Sequence, residues 1–213
     1  MEKPPLILFT ALEIEARAVL RALGDQSQAV AVRVIGMRGI RTPQVPAGAT
    51  VIVAGLAGAL DPKLRVGDLV LDTPIPRLSN HLPWHVGPIH SSQDVVSTVD
   101  EKSSLFRQTA AIAVEMEHTV VQRSVAQGVK LIGLRAISDP ADMALDPAIL
   151  RFVDDFGNPK ARRIAAALLR RPGLIPHLRL LNKNTKLALR NLGLGARALV
   201  ECLAAPPGEP EAR

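Results

Sequence analysis

Short apolar runs followed at once by helix-forming segments are what most constrain the fold of this chain. Leu6 to Ala11 is apolar and runs directly into Glu13 to Leu23, a stretch rich in helix formers that Gly24 closes, so a strand is predicted to feed a helix. The order reverses further on, where Glu117 to Gln127 reads as a helix closed by Gly128 and Val129 to Ala136 as a buried strand. Val and Ile enrichment predicts further strands over Ala29 to Ile35, Thr50 to Leu56, Asp68 to Asp72 and Ala110 to Val114. Strands alternating with helices place the chain in the α/β class, and 213 residues fit one such domain. The proline-rich stretch from Thr73 to His90 is predicted to be a long loop.

From Pro147 onward the pattern is helical, with Gly157, Gly173, Gly193 and Gly195 predicted to interrupt it. The expected organisation is a core over 1–145, a basic helical extension over 146–205 packed on the same domain, and a flexible tail over 206–213. Charge follows this division. Residues 1–150 carry 14 Lys and Arg against 15 Asp and Glu, whereas residues 151–213 carry 12 against 5. Such a basic segment can face nucleic acid, anionic lipid or water. Aromatic residues make up only 2% of the chain and tyrosine is absent, so platforms for stacking unpaired bases are scarce and no nucleic-acid partner is expected. The single Cys202 cannot form an internal disulfide, the first residues lack the pattern of a signal peptide, and no apolar run has spanning length. The expected location is cytoplasmic.

Two acidic motifs about twenty residues apart carry the chemistry: Ala113-Val114-Glu115-Met116-Glu117-His118 and Arg135-Ala136-Ile137-Ser138-Asp139-Pro140. With one helix and one strand between them, their carboxylates can meet at one end of a sheet. Asp139, just past a predicted strand, falls where open α/β sheets hold ligands. Glu117 starts a helix, and Glu15 lies in the turn after the first strand. Taken singly, Glu15 and Glu117 are acids favoured by a helix dipole and Arg135 is a pairing residue. Together they supply acceptor, acid, base and counter-charge.

Gly55-Leu56-Ala57-Gly58-Ala59-Leu60-Asp61-Pro62 and Val66-Gly67-Asp68-Leu69-Val70, taken with these acidic motifs, resemble the purine nucleoside phosphorylase and nucleosidase superfamily. Within it, the methylthioadenosine/S-adenosylhomocysteine nucleosidases are most similar. The resemblance covers Leu6 to about Asp142 and implies a three-layer α/β/α fold with a central mixed sheet, here with an added helical C-terminal segment. Leu145-Asp146-Pro147, Asp155-Phe156-Gly157 and Leu169-Arg170-Arg171-Pro172-Gly173 further resemble the hopanoid-associated branch, which removes adenine from adenosylhopane.

Carried over by position, the resemblance implies that Glu15 orients or deprotonates an attacking water. Glu117 would bind the ribose hydroxyls and Met116 would pack on the sugar. Asp139 would protonate purine N7, Ser138 would help hold Asp139, Arg135 would sit beside the water, and Gly58 would let the backbone approach the ligand. Heterolysis of an N-glycosidic bond leaves positive charge on the ribose and negative charge on the base, which is why an acid is needed at the base and carboxylates at the sugar. Asp139 must be uncharged to act as that acid, and Arg135 would oppose this if it came close.

Several departures bear on the substrate. The phosphorylases' Arg two residues before Gly55 is Val53 here, which favours water over phosphate as nucleophile. Val96 stands where methylthioadenosine nucleosidases have an aromatic residue, so aliphatics would sandwich the purine, and Leu56 replaces a small polar residue, as an apolar 5′ substituent would prefer. Arg38 reads as a solvated turn residue. His81, His85 and His90 have ligand-like spacing but no acidic or Cys partner among them, and the resembling family needs neither metal nor cofactor. The reading is a hydrolase of adenine nucleosides that acts as a homo-oligomer, with adenosylhopane ahead of methylthioadenosine or S-adenosylhomocysteine. A nucleoside-binding protein with a degenerate site is the non-enzymatic alternative. Apolar helical faces edged by Lys160, Arg162, Arg163, Arg179 and Lys183 could also rest on an anionic bilayer.

Overall fold

The computed structural model of the chain describes residues 5–42, 44–81, 84–146 and 173–205, together with 152, 154–156, 158, 160 and 162. The expected tail over 206–213, most of 147–172 and the motif at 169–172 lie outside these residues. Four parallel strands form the centre of a mixed sheet: β1 (Leu6–Thr10), β2 (Ala31–Val34), β3 (Thr50–Ala59) and β8 (Lys130–Asp139), in the order β2-β1-β3-β8. Beyond β8 the sheet continues with β4 (Leu69–Asp72), antiparallel to it, and then β5 (His85–Val86).

Side chains alternate across this sheet as strand geometry requires. Leu8, Ile52, Ile132 and Leu134 pack on one face with Val19 and Leu23 of α1 (Glu13–Leu23) and Leu192, Ala196 and Leu199 of the C-terminal helix. Ile7, Phe9, Val51 and Val53 pack on the other with Val121 of α4 (His118–Ser124). The result is the three-layer α/β/α arrangement.

Several elements differ from the sequence expectation. The stretch 73–90 is not one long loop: it holds α2 (Pro76–His81), β5 and β6 (Ile89–Ser91). Pro76 opens α2, where a missing N–H costs nothing, and Leu78 is buried beneath it. The Asp72 carboxylate accepts the Ile89 N–H at 3.1 Å, so the chain is drawn back to the sheet rather than released. Residues 99–109, assigned no element from sequence, form α3 (Val99–Thr109). Its start is a reciprocal cap, with Thr98 Oγ1 accepting from Glu101 N at 3.1 Å and Glu101 Oε2 accepting from Thr98 N at 2.9 Å.

The C-terminal helix α5 (Leu174–Ala204) runs unbroken through Gly193 and Gly195. A side chain at Gly193 would lie 2.7 Å from the Ala18 carbonyl oxygen of α1, so this glycine permits close helix packing instead of interrupting the helix. The segment before α5 is not wholly helical either. Asp154 Oδ1 accepts from Phe156 N and Asn158 N, both at 2.9 Å, in a turn built around the aspartate side chain.

The candidate site owes its position to a split in the sheet. Strand β3 pairs with β8 up to Ala57, shifts register, and at Gly58 and Ala59 also pairs antiparallel with β7 (Ala113–Glu115), which β6 flanks in parallel. A crevice opens at the carboxyl ends of β1, β7 and β8, the position favoured for ligands in open α/β sheets.

Candidate active site

Glu115 ends β7 and Arg135 lies within β8, and both are almost wholly buried. Arg135 Nη2 donates to Glu115 Oε2, which also accepts the backbone N–H of Glu117 at 2.8 Å and of His118 at 2.9 Å. Burial alone would raise the Glu115 carboxyl, but Arg135 and the two N–H groups outweigh it and hold it below its ordinary value. Glu115 thereby also caps α4, which begins at His118 rather than Glu117.

With its role as helix start taken over by Glu115, Glu117 turns its side chain elsewhere. Its Oε1 accepts the Arg38 N–H at 3.0 Å. Arg38 itself has φ +58°, a left-handed conformation uncommon for an arginine, which aims that N–H. The Arg38 guanidinium points outward to the Gln93 carbonyl at 3.0 Å and Asp94 at 3.8 Å, in keeping with a turn arginine. Glu117 is 5% exposed. Burial, opposed by Arg135 and reinforced by Glu115 and Glu15, pushes its carboxyl up to about 7.

Glu15, in the first turn of α1, is held by two backbone donors, Leu12 N at 2.9 Å and Leu56 N at 2.8 Å. Burial raises its carboxyl against the pull of those N–H groups and of Arg135. A side chain at Gly55 would meet Arg135 Nη1 at 2.9 Å and Glu15 Oε1 at 3.0 Å, so only glycine lets these groups lie over the strand.

Asp139 is the last residue of β8, three residues further along the strand than expected. Its Oδ1 accepts from Ser138 Oγ at 2.8 Å. A side chain at Gly58 would lie 2.8 Å from Asp139 Oδ2, so the absent side chain makes room for the acid. The cation beside Asp139 is Lys102, not Arg135. Lys102 Nζ, fully buried on α3, donates to Oδ2 at 2.6 Å.

A cavity of about 230 Å³ gathers Glu15, Gly58, Val96, Met116, Glu117, Ser138 and Asp139, every one of them a predicted site residue. Arg135 does not line it but lies beneath, on Glu115. Leu12, Met37, Leu56, Val95, Val114 and Leu145 supply the apolar wall. Larger hollows of about 460 and 430 Å³ lie elsewhere, and among the described residues neither has an acidic lining residue. Among the described residues, no three His, Cys, Asp or Glu side chains are grouped to hold a metal ion. His85 pairs instead with Asp68 at 3.5 Å.

Lys102 is not legible as a site residue in the sequence, although the Thr98-Val99-Asp100-Glu101 cap is a recognisable helix start. Glu115 belongs to the first acidic motif, where the sequence alone gives it no role. Met37 reaches the site only through contacts distant in sequence, its N–H donating to the Asp155 carbonyl at 2.8 Å.

A sequence profile described as the phosphorylase superfamily matches residues 76–171, less than half of the chain but including Glu115, Glu117, Arg135 and Asp139. The 5′-methylthioadenosine/S-adenosylhomocysteine nucleosidase of Helicobacter pylori superposes with a TM-score of 0.60 at 17% identity, covering 94% of this chain and 99% of that one. The fold is that of the nucleoside phosphorylases and nucleosidases. The Arabidopsis thaliana 5′-methylthioadenosine nucleosidase gives a TM-score of 0.59 at 14% identity over 94% of this chain and 96% of its own. The Campylobacter jejuni 5′-methylthioadenosine/S-adenosylhomocysteine nucleosidase gives 0.55 at 16% over 94% and 99%. No curated protein sequence matches the chain.

Proposed function

We propose that the protein hydrolyses the N-glycosidic bond of an adenine nucleoside. The observation that carries this reading is the convergence of Glu15, Glu117 and Asp139 on one cavity that, among the described residues, no Lys, Arg or His lines. Glu15 and Glu117, whose nearest guanidinium is engaged by Glu115, suit a ribose that becomes cationic as its bond to the base lengthens. In the proposed step a water oxygen bonds to C1′ and Glu15 accepts the water's proton. The C1′–N9 bond breaks with its electron pair going to the base, and N7 receives a proton from Asp139. Glu117 accepts hydrogen bonds from the ribose hydroxyls.

That no described residue lining the cavity is a cation also supports water over phosphate, which would require positive charge where it binds. The Leu12, Met37, Leu56 and Leu145 wall favours an apolar 5′ substituent, and we rank adenosylhopane ahead of methylthioadenosine and S-adenosylhomocysteine. For such a substrate, peripheral docking on an anionic bilayer fits the described part of the basic extension. Leu180, Leu187 and Leu194, seven residues apart on α5, are 47%, 44% and 54% exposed beside Lys183, Lys186, Arg190 and Arg197. Among the described residues no helix is long and apolar enough to cross a membrane.

The test is to incubate the protein with each nucleoside, with and without phosphate, and measure free adenine. Adenine should appear without phosphate, and Asp139→Asn should abolish it while the fold persists. Full activity in that variant would end the assignment. Binding of adenosine analogues without turnover would favour the non-enzymatic alternative.

A further inference from the structure

Lys102 is a buried lysine to which the proposed hydrolysis gives no task. Removing an ammonium group from water is costly unless it is paired and hydrogen-bonded. Here it is both, since Nζ donates to Asp139 Oδ2 at 2.6 Å, to the Pro140 carbonyl at 2.9 Å and to the Met143 carbonyl at 2.9 Å. Its three protons are therefore aimed at the acid and at the loop after it. That loop is fastened again at Leu145, whose N–H donates to the Ser97 carbonyl at 2.8 Å just before the cap of α3, and Leu145 lines the cavity. One helix thus holds both the acid and part of the wall.

An ammonium and a carboxylate paired in this way share a single transferable proton. A carboxylate has none of its own to give, so a proton that leaves on the base must be drawn from the pair. Among the described residues, the other titratable groups lining the cavity are Glu15 of α1, Asp94, and Glu115 and Glu117 at the β7–α4 junction, all of them acids. Arg135 is engaged by Glu115.

We propose that Lys102 is a positioning residue that fixes Asp139 on the cavity wall and replenishes the proton that Asp139 passes to the departing base. The inference rests on the nucleosidase reading and assigns the source of its proton. A proton crosses from Nζ to Oδ2, breaking an N–H bond and forming an O–H bond. The carboxyl group then gives a proton to the base as the electron pair of the C1′–N9 bond withdraws onto it. Asp139 ends as a carboxylate and Lys102 as a neutral amine. The amine regains a proton from solvent once the products leave, and Glu15 returns the one it took from water.

The experiment compares the pH dependence of kcat and KM for adenine release by the wild type, Lys102→Met and Lys102→Arg, with circular dichroism to verify folding. The wild type should turn over at pH 8, its proton drawn from the Lys102–Asp139 contact. Lys102→Met should lose at least tenfold in kcat at pH 8 with KM within threefold. Its alkaline limb should move down by a pH unit or more, because Asp139 must then hold the proton alone. Lys102→Arg keeps a positive charge but not a proton it can surrender, and its kcat should fall similarly. A purely structural role would lower folding yield or stability and leave the limb in place.

Wild-type kcat and an unmoved profile in either folded variant would overturn the proposal. Should Lys102→Met not fold, Lys102→Arg and the wild-type profile decide, and a wild type active at pH 6 but inactive at pH 8 also refutes it. A wild type that releases no base from any nucleoside sinks the nucleosidase reading itself, a result distinct from an active enzyme indifferent to Lys102.

Discussion

Glu117→Gln should make the protein less sensitive to rising pH, by an amount set by the site. The Glu117 carboxyl is pushed up to about 7, chiefly by burial, whereas in the unfolded chain it returns to its ordinary value of 4.5. Between these values the folded state binds more protons than the unfolded one. The stabilisation is therefore fully present below 4.5, declines as pH rises, and is gone above 7. A gap of that size corresponds to ~3 kcal/mol between pH 4.5 and pH 8. Glutamine keeps an oxygen for the Arg38 N–H and never ionises, so it removes this slope with little change in contacts. Glu15 and Glu115 titrate in both proteins, which makes the difference between the two the informative quantity. Urea denaturation at pH 5 and pH 8 reads it directly. The variant should gain ~3 kcal/mol on the wild type between the two conditions, or roughly 6–12 °C in Tm for a chain of this size. A difference that stays constant within about 0.5 kcal/mol would show that Glu117 is not held protonated by its surroundings. The charge that destabilises the protein above pH 7 is the one the proposed reaction needs, so adenine release should rise over the same interval.

Three further outcomes are expected. Arg135→Met leaves Glu115 buried without its counter-charge and should cost about 3–5 kcal/mol, measured by urea denaturation at pH 7; a loss under about 1 kcal/mol would show that Glu115 finds other compensation. Gly58→Ala places a methyl 2.8 Å from Asp139 Oδ2, which Lys102 holds in place. Displacing the acid should lower kcat by about a hundredfold, and unchanged kcat would refute the geometry. Reversing charge with Lys186→Glu and Arg190→Glu should reduce sedimentation with anionic vesicles, whereas equal sedimentation would reject lipid docking by α5.

How much of the fold and site is legible in the sequence depends on how local each determinant is. The strand and helix at Leu6–Leu23 are set by an apolar run, helix formers and a closing glycine, all within nineteen positions. Glu15, Glu117 and Asp139 sit beside strand ends, so fixing the strands brings them to one edge of the sheet. Lys102 is hidden for the opposite reason. A lone lysine in a segment with weak periodicity reads as solvated surface, and only the tertiary contact with Asp139 gives it a role. Gly193 misleads for a related reason, since a glycine in a helical stretch is ordinarily an interruption. It is instead a point of contact with Ala18, 175 positions earlier in the chain. The prolines of 73–90 punctuate short elements rather than a loop because Asp72 and Leu78 anchor the segment, a fact of packing and not of composition.

The two ends of the cavity differ in how their charges are compensated, and the difference has a direction. Glu15, Glu115 and Glu117 all feel the one guanidinium of Arg135, and its close partner is Glu115. Burial raises both Glu15 and Glu117, and the shared guanidinium offsets this only in part. Asp139 has a cation of its own in Lys102. Two acids without a close cation at one end and a neutralised pair at the other favour moving positive charge toward Glu15 and Glu117 and negative charge toward the pair. Breaking a glycosidic bond does this if the ribose lies at Glu15 and Glu117 and the base at Asp139. On that reading the cation forming on the sugar takes the place of the proton that Glu117 holds in the free protein. A bound cationic mimic of the ribose should then release close to one proton at pH 6, and proton release on binding, measured by calorimetry in buffers of different ionisation enthalpy, should vanish in Glu117→Gln. Undiminished release in that variant would place the proton elsewhere and break the link between the strained charge state and the reaction.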